Sequence, residues 1–382
     1  MKWGSHMEYR ELKNGVKSSL LGYGCMRFPV MEDGKTVDEK KTEELLLKAY
    51  NSGVNYFDTA YPYHDGQSET VVGNILSKLD RSTYYLATKL PVWFVHSKED
   101  AERLFREQLS KLKTDYVDFY LLHAMNRDKY DEMKKLGVVD LMAEYKEKGL
   151  IKNYGFSFHD DYDAFEHIIT DREWDFCQIQ FNYVDKDTQA TMKGYELAKK
   201  LNVPLVIMEP VKGGSLASIP DDVMEPMKKF GKDYSSAAWA LAWVATFDNV
   251  KVILSGMTTM AQLDDNLKTF DSFSPLSDAE MDALEEVHKI IDSRVKNGCT
   301  GCRYCMPCPM GIDIPFNFAI WNNYHKFENK RDVQWRWETT PIEKKPYACV
   351  KCGKCESMCP QKISIRDDLA KVGAEMKELF GE

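Results

Sequence analysis

The chain has 382 residues, 43% of them hydrophobic, and a formal net charge of −9. That length supports one large core with a smaller appendage, and Lys and Arg scattered among acids argue against nucleic acid or an anionic membrane surface as the main partner. No apolar run approaches the ~18 residues of a membrane span and no export signal opens the chain, so the sequence predicts a cytoplasmic protein.

The opening MKWGSHM reads as the scar of an expression tag over residues 1–6, with the native start expected at Met7. From residue 18 onward, short β-branched or aromatic runs alternate with longer amphipathic stretches. Strands are expected at 18–24, 54–58, 83–88, 116–123, 151–157, 175–180, 204–208 and 250–255. Between them EKKTEELLLKAYNSG, AERLFREQLSKLKT and YSSAAWALAWVAT carry helical periodicity. Strand-helix units repeated in this way predict an α/β fold, a closed (β/α)8 TIM barrel spanning 7–294. An open doubly wound sheet is the rival, but the first turn, GYGCMRFP, lacks both the GxGxxG spacing and a following helix. The segment 274–294 is expected to be a helix leading out of the barrel, with Ser277 or Asp278 as N-cap. Residues 295–382, which hold CTGCRYCMPCP and CVKCGKCESMCP, are cysteine-dense enough to be expected to form a small, α-helical, ferredoxin-like iron-sulfur domain, with the aromatic and charged stretch between the two runs as helix and loop.

In a β/α barrel, chemistry sits at the C-terminal ends of the strands. There the sequence places Asp58, Lys89, His123, Ser157 and Gln178. Any one of these is more often a surface lysine or a hydrogen-bonded core residue than part of a site. Their convergence on one rim favours the functional reading.

The same residues stand in FDTAYPYHDGQSE (57–69), ATKL (87–90), YLLHA (120–124), GFSFH (155–159) and QIQFN (178–182), which resemble the signatures of the aldo-keto reductases in that family's order. The resemblance covers roughly residues 8–270 and implies Tyr63 as general acid, Asp58 and Lys89 as its tuning pair, and His123 as the residue orienting a substrate oxygen. It further implies that Ser157 and Gln178 hold a nicotinamide carboxamide and that the substrate is a small carbonyl compound or alcohol. Physical chemistry agrees: a phenol near pKa ~10 gives up its proton reluctantly at neutral pH, and an adjacent ammonium favours the phenolate.

Several positions depart from the family pattern. Phe158 stands where Asn is common, and Met208 where an aromatic often stacks on the nicotinamide. SGMTTMAQLDDNL (255–267), the place for gripping a 2′-phosphate, keeps Asn266 but holds no basic residue. NADP(H), NAD(H) and a flavin therefore all stand as expected cofactors, because a 2′-phosphate calls for cationic donors. Lys212, Gly213 and Gly214 are candidates for a pyrophosphate, the bland reading being a simple turn. Cys25, Met26, Phe28, Trp93, Phe94 and Phe158 are expected near an apolar pocket mouth, and Cys177 in the strand core.

Eight of the ten cysteines lie between 299 and 359 in two runs, CTGCRYCMPCP and CVKCGKCESMCP. The second has the CxxCxxCxxxCP spacing of bacterial ferredoxins, in which three thiolates bind one [4Fe-4S] cluster and the fourth reaches the other. On that pattern Cys299, Cys302, Cys305 and Cys359 hold one cluster, and Cys349, Cys352, Cys355 and Cys308 the other. Structural zinc favours two CxxC pairs across a longer loop, and disulfides suit exported proteins. Such a tail resembles aldo-keto reductase-like proteins of anaerobes. It predicts an oxidoreductase with two one-electron carriers, a ferredoxin being a possible redox partner. The alternative is an electron-transfer module whose barrel binds a cofactor or partner without turnover.

Overall fold

The computed structural model describes residues 7–271 and 273–381, so the expected tag scar at 1–6 lies outside the described residues. The chain divides into two compact units: one runs to Gly213 and resumes over Ala237–Ser277, while the other joins Gly214–Ser236 to the chain from Asp278 onward.

In the first unit eight strands close into a barrel: β1 Leu21–Gly24, β2 Tyr56–Asp58, β3 Tyr85–Leu90, β4 Val117–Met125, β5 Ile151–Phe158, β6 Phe176–Gln180, β7 Leu205–Met208 and β8 Val250–Ser255. Each pairs with its sequence neighbour in parallel, and β8 closes on β1 through Ile253 opposite Leu21. The helices that bear on the site are α1 Glu39–Asn51, α2 Ser68–Leu76, α3 Lys98–Leu112, α4 Arg127–Lys135, α5 Val138–Glu147, α6 Tyr162–Asp171, α7 Thr191–Lys200, α8 Ser236–Ala245 and α9 Met260–Phe270. Their starts follow from local chemistry: Asp38, Ser97, Asn126 and Asp161 each accept a backbone N–H from the first turn of α1, α3, α4 and α6. Apolar on nearly every side, α8 is buried along most of its length.

Tyr56, Ala87, Phe119, Leu121, Phe176, Val206, Val252 and Leu254 fill the barrel interior, and Leu12 packs against them. Leu12 comes from an antiparallel hairpin of Tyr9–Glu11 and Lys17–Ser19 that the sequence reading did not separate. The expected strand at 18–24 therefore divides in two. Asn55 pins the break, its side chain accepting from the Ser19 N–H at 2.7 Å while its own N–H donates to Ser19 Oγ at 3.0 Å.

The second unit contains α10 Asp278–Ser293, α11 Ile314–Phe327, α12 Lys330–Glu338 and α13 Ile365–Phe380. Ile312, Phe318, Trp321, Val333, Trp337, Ile365, Leu369, Val372 and Met376 form its core, with six of the eight clustered cysteines packed on it: Cys299, Cys305, Cys308, Cys349, Cys355 and Cys359. Among the described residues no helix is long and apolar enough to cross a membrane.

Candidate active site

Strand β2 delivers Asp58 to the barrel mouth, and the turn after it carries Tyr63. That turn passes through three successive left-handed residues, His64, Asp65 and Gly66, at φ +53°, +52° and +87°. Side chains hold it in this uncommon shape: Ser68 Oγ donates to Cys25 O at 2.9 Å, and the Phe28 N–H donates to His64 Nε2 at 2.9 Å. The result is a phenol directed at Lys89 of β3.

Lys89 Nζ donates to Asp58 Oδ1 at 2.6 Å, Thr59 O at 2.8 Å and Tyr63 Oη at 3.3 Å, and both ends of the Lys89–Asp58 ion pair are buried. Burial alone would lower the Lys89 pKa, but Asp58 and Tyr63 outweigh it and hold the ammonium above its ordinary value. Burial pushes Asp58 upward against the opposing pull of Lys89. Tyr63 also moves upward, because burial exceeds the lowering by Lys89. The expected depression of the phenol is thus reversed: Lys89 offsets desolvation without overcoming it. Behind the lysine, Gln108 of α3 donates to Lys89 O at 2.9 Å and to the buried Glu69 at 2.6 Å, a brace that sequence reading missed.

His123 lies with its ring centroid 6.1 Å from that of Tyr63 and 5.0 Å from that of Trp93. Burial first, then Lys89, His159 and Lys129, drives its pKa well below the ordinary value, so the ring is neutral at pH 7, and its buried Nδ1 has no partner among the described residues. The next residue, Ala124, is itself left-handed at φ +52° and donates its N–H to Ser157 Oγ at 2.8 Å.

Ser157 of β5 stands opposite Gln178 of β6 in the ladder, and Gln178 Oε1 is buried without a partner. An orphaned buried carbonyl beside a hydroxyl fits the amide end of a nicotinamide. The other expected cofactor contacts are differently placed. Lys212 Nζ is held by both carboxylate oxygens of Asp185 at 2.7 Å, and Asn266 donates to Ser255 Oγ at 2.7 Å. Gly213 and Gly214 adopt φ +62° and +100°.

Arg27 brings a cation beside Gly256, at the start of the segment 255–267 that has no basic residue of its own. Its stem lies across Gly256, where an added Cβ would come within 3.2–3.3 Å of Arg27 Cβ, Cγ and Cδ. Arg27 Nη2 would be 3.3 Å from a Cβ on Gly213, with Glu209 Oε2 at 3.5 Å from the same point. The guanidinium is exposed and makes no ion pair or hydrogen bond among the described residues. Its position between two glycines distant in sequence gave no sequence signal. Of the expected mouth residues, Cys25 is fully buried but close enough to Asp58, Lys89 and Tyr63 for their charges to act on one another, and Phe158 is buried against Phe165. Trp93, Phe94 and Met26 are exposed, Phe28 is buried, and Cys177 is core as expected.

In the second unit the cysteines surround two hollows. One is lined by Cys299, Cys302, Cys305 and Cys359, the other by Cys308, Cys349, Cys352 and Cys355. These are the two interleaved sets expected from the spacing. Among the described residues no three His, Cys, Asp or Glu side chains converge on a single-ion site. Four thiols around an open hollow fit a multi-iron cluster.

Residues 20–289 match the aldo/keto reductase family. The chain belongs to that family. Residues 298–363 of this aldo/keto reductase match the 4Fe-4S dicluster domain, which supports iron-sulfur clusters in the second unit. The reductase is 25% identical over 303 residues to the uncharacterized oxidoreductase YqkF of Bacillus subtilis, covering 70% of this chain and 92% of that protein. It is 24% identical over 322 residues to a probable voltage-gated potassium channel subunit beta of Arabidopsis thaliana, covering 74% and 96%. Among solved structures, the holo form of aldo-keto reductase AKR11C1 from Bacillus halodurans superposes with a TM-score of 0.62 at 24% identity, covering 74% and 96%. The thermostable aldo-keto reductase Tm1743, solved with the inhibitor epalrestat, gives 0.61 at 25% identity, covering 74% and 100%.

Proposed function

We propose that this oxidoreductase interconverts a carbonyl compound and its alcohol at the barrel mouth with a nicotinamide cofactor, and that its second unit carries two [4Fe-4S] clusters as one-electron carriers. One observation carries the reading: the buried Lys89 ammonium joins Asp58 to Tyr63 beside a neutral His123.

Tyr63 keeps its proton at neutral pH, which is the form a general acid needs before turnover. As negative charge develops on the substrate oxygen, the phenol passes its proton to that oxygen. Lys89 stabilises the phenolate left behind, and Asp58 keeps Lys89 charged. The neutral His123 steers the substrate oxygen without placing a second cation beside Lys89. Ser157 and Gln178 would hold the carboxamide, and Arg27 the phosphates beside Gly213. The nicotinamide, when bound, supplies or accepts the hydride.

A second reading, an electron-transfer module whose barrel does not turn over, is favoured by Lys212 and Asn266 already being satisfied by Asp185 and Ser255. An anaerobic titration separates the two. NADPH or NADH is added to protein of known iron and flavin content while the cluster absorbance and electron spin resonance signal are followed, and an aldehyde panel is then supplied. Nucleotide oxidation by an aldehyde that Tyr63→Phe abolishes supports the reductase. Clusters that accept electrons from a reduced ferredoxin, with no nucleotide turnover, favour the module.

A further inference from the structure

Lys129 lies in the first turn of α4, its backbone N–H donating to the Asn126 side chain at 2.8 Å. Its ammonium turns back to the barrel mouth, donating to Ala124 O at 3.3 Å and lying 5.9 Å from the centroid of the Trp93 ring. Trp93 in turn lies against His123, and His123 against Tyr63. A path of side chains thus leads from the proposed acid, across one exposed indole, to a half-buried cation.

Like Lys13 and Lys251, whose ammonium groups also donate to backbone carbonyls, this lysine has no counterion among the described residues; unlike theirs, its ammonium lies beside Trp93 and His123. Lys89, Lys111, Lys134, Lys146 and Lys212 of the same unit all pair with carboxylates. Lys129 makes no ion pair among the described residues. An ammonium has three protons to donate, and Ala124 O takes one. A partly desolvated cation with donors to spare, facing an apolar ring, is stabilised by an anion arriving from outside. Lys89 and Lys129 both act on His123 as cations, and Lys89 is already paired with Asp58, so of these two Lys129 is the one left without a carboxylate.

We propose that Lys129 binds a carboxylate of the substrate, so that the preferred substrates are carbonyl compounds or alcohols carrying a carboxylate across an apolar or aromatic spacer. The inference rests on the reductase reading for the carbonyl end and on Lys129 alone for the anionic end. Trp93 supplies the flat apolar surface along which the spacer lies.

Two measurements on the full, cluster-loaded chain test it. The first compares kcat/KM for 4-carboxybenzaldehyde and benzaldehyde in wild type, Lys129→Gln and Lys129→Arg. Wild type should favour the carboxylated aldehyde by about tenfold or more through KM, the scale of one charge-assisted hydrogen bond. Lys129→Gln should bring the pair together by raising KM for the carboxylated aldehyde only, and Lys129→Arg should retain most of the preference. The second uses calorimetry, comparing benzoate with benzamide, and needs no turnover. Benzoate should bind wild type more tightly than benzamide and lose that advantage in Lys129→Gln. A preference unchanged in Lys129→Gln, or benzoate binding no tighter than benzamide, overturns the proposal. If neither aldehyde reacts while benzoate binding still depends on Lys129, the reductase reading falls and the carboxylate site stands.

Discussion

Lys89 Nζ lies 2.6 Å from Asp58 Oδ1, with both side chains all but sealed from solvent, while the second oxygen of Asp58 is buried without a partner. A pair this buried is costly to break from one side, because the surviving charge keeps its desolvation penalty. Asp58→Asn should destabilise the barrel by roughly 3–5 kcal/mol. Lys89→Met combined with Asp58→Asn should cost less than Asp58→Asn and Lys89→Met added together, since it leaves neither charge stranded. Denaturant unfolding of the variants measures both. A double variant whose loss equals that sum would mean that Asp58 and Lys89 contribute independently.

His123 gives the site a pH dependence of definite sign. Its folded pKa lies below the unfolded value of ~6.5. Between the two values the unfolded chain binds the proton and the folded chain does not, so stability falls as pH drops below about 6.5. His64 and His159 lean the same way, each lowered first by burial. His123→Gln should therefore flatten, without abolishing, the acid-side slope of unfolding free energy between about pH 6.5 and 5. Anaerobic urea unfolding at a series of pH values reads this directly, and a steeper slope in the variant would contradict it.

The barrel and the proposed tetrad were legible because both rest on local pattern. Alternating strands and helices set the fold, and strand ends place Asp58, Lys89 and His123 on one rim whatever the loops do. The hairpin escaped because its second strand runs into β1 without a polar break, the division being made by Asn55 from elsewhere in the chain. The partner of Lys212 escaped because Asp185 sits in an irregular loop with no periodicity to reveal it. Strand-end position put Cys25 beside Asp58 and Lys89 but said nothing of how deeply its thiol would be buried.

Arg27 escaped for a related reason, since its packing on Gly256 exists only in three dimensions. As the unpaired cation at the proposed phosphate end, it should contribute to nucleotide affinity whether or not a 2′-phosphate is present. Arg27→Ala should weaken NADH and NADPH binding alike by about 10- to 100-fold, the scale of one or two hydrogen bonds to a charged group. Loss confined to NADPH would reassign Arg27 to the 2′-phosphate. Equal affinity in wild type and variant, measured by calorimetry, would remove it from the site.

The two hollows make a prediction about pairing across the sequence. Cys359 lines the same hollow as Cys299, Cys302 and Cys305, although the intervening chain includes the whole second half-site. Cys308 lines the other hollow with Cys349, Cys352 and Cys355. Cys359→Ala should therefore give the same lesion as Cys299→Ala, and Cys308→Ala the same as Cys349→Ala. The lesion is read as loss of one of two electron spin resonance signals after anaerobic reduction, with iron falling toward half. The loss of a cluster also removes support from the small core of Phe318, Trp337 and Leu369, so each variant should unfold at lower temperature than wild type. If Cys359→Ala instead matched Cys352→Ala, each run would serve its own cluster and the interleaved assignment would be wrong.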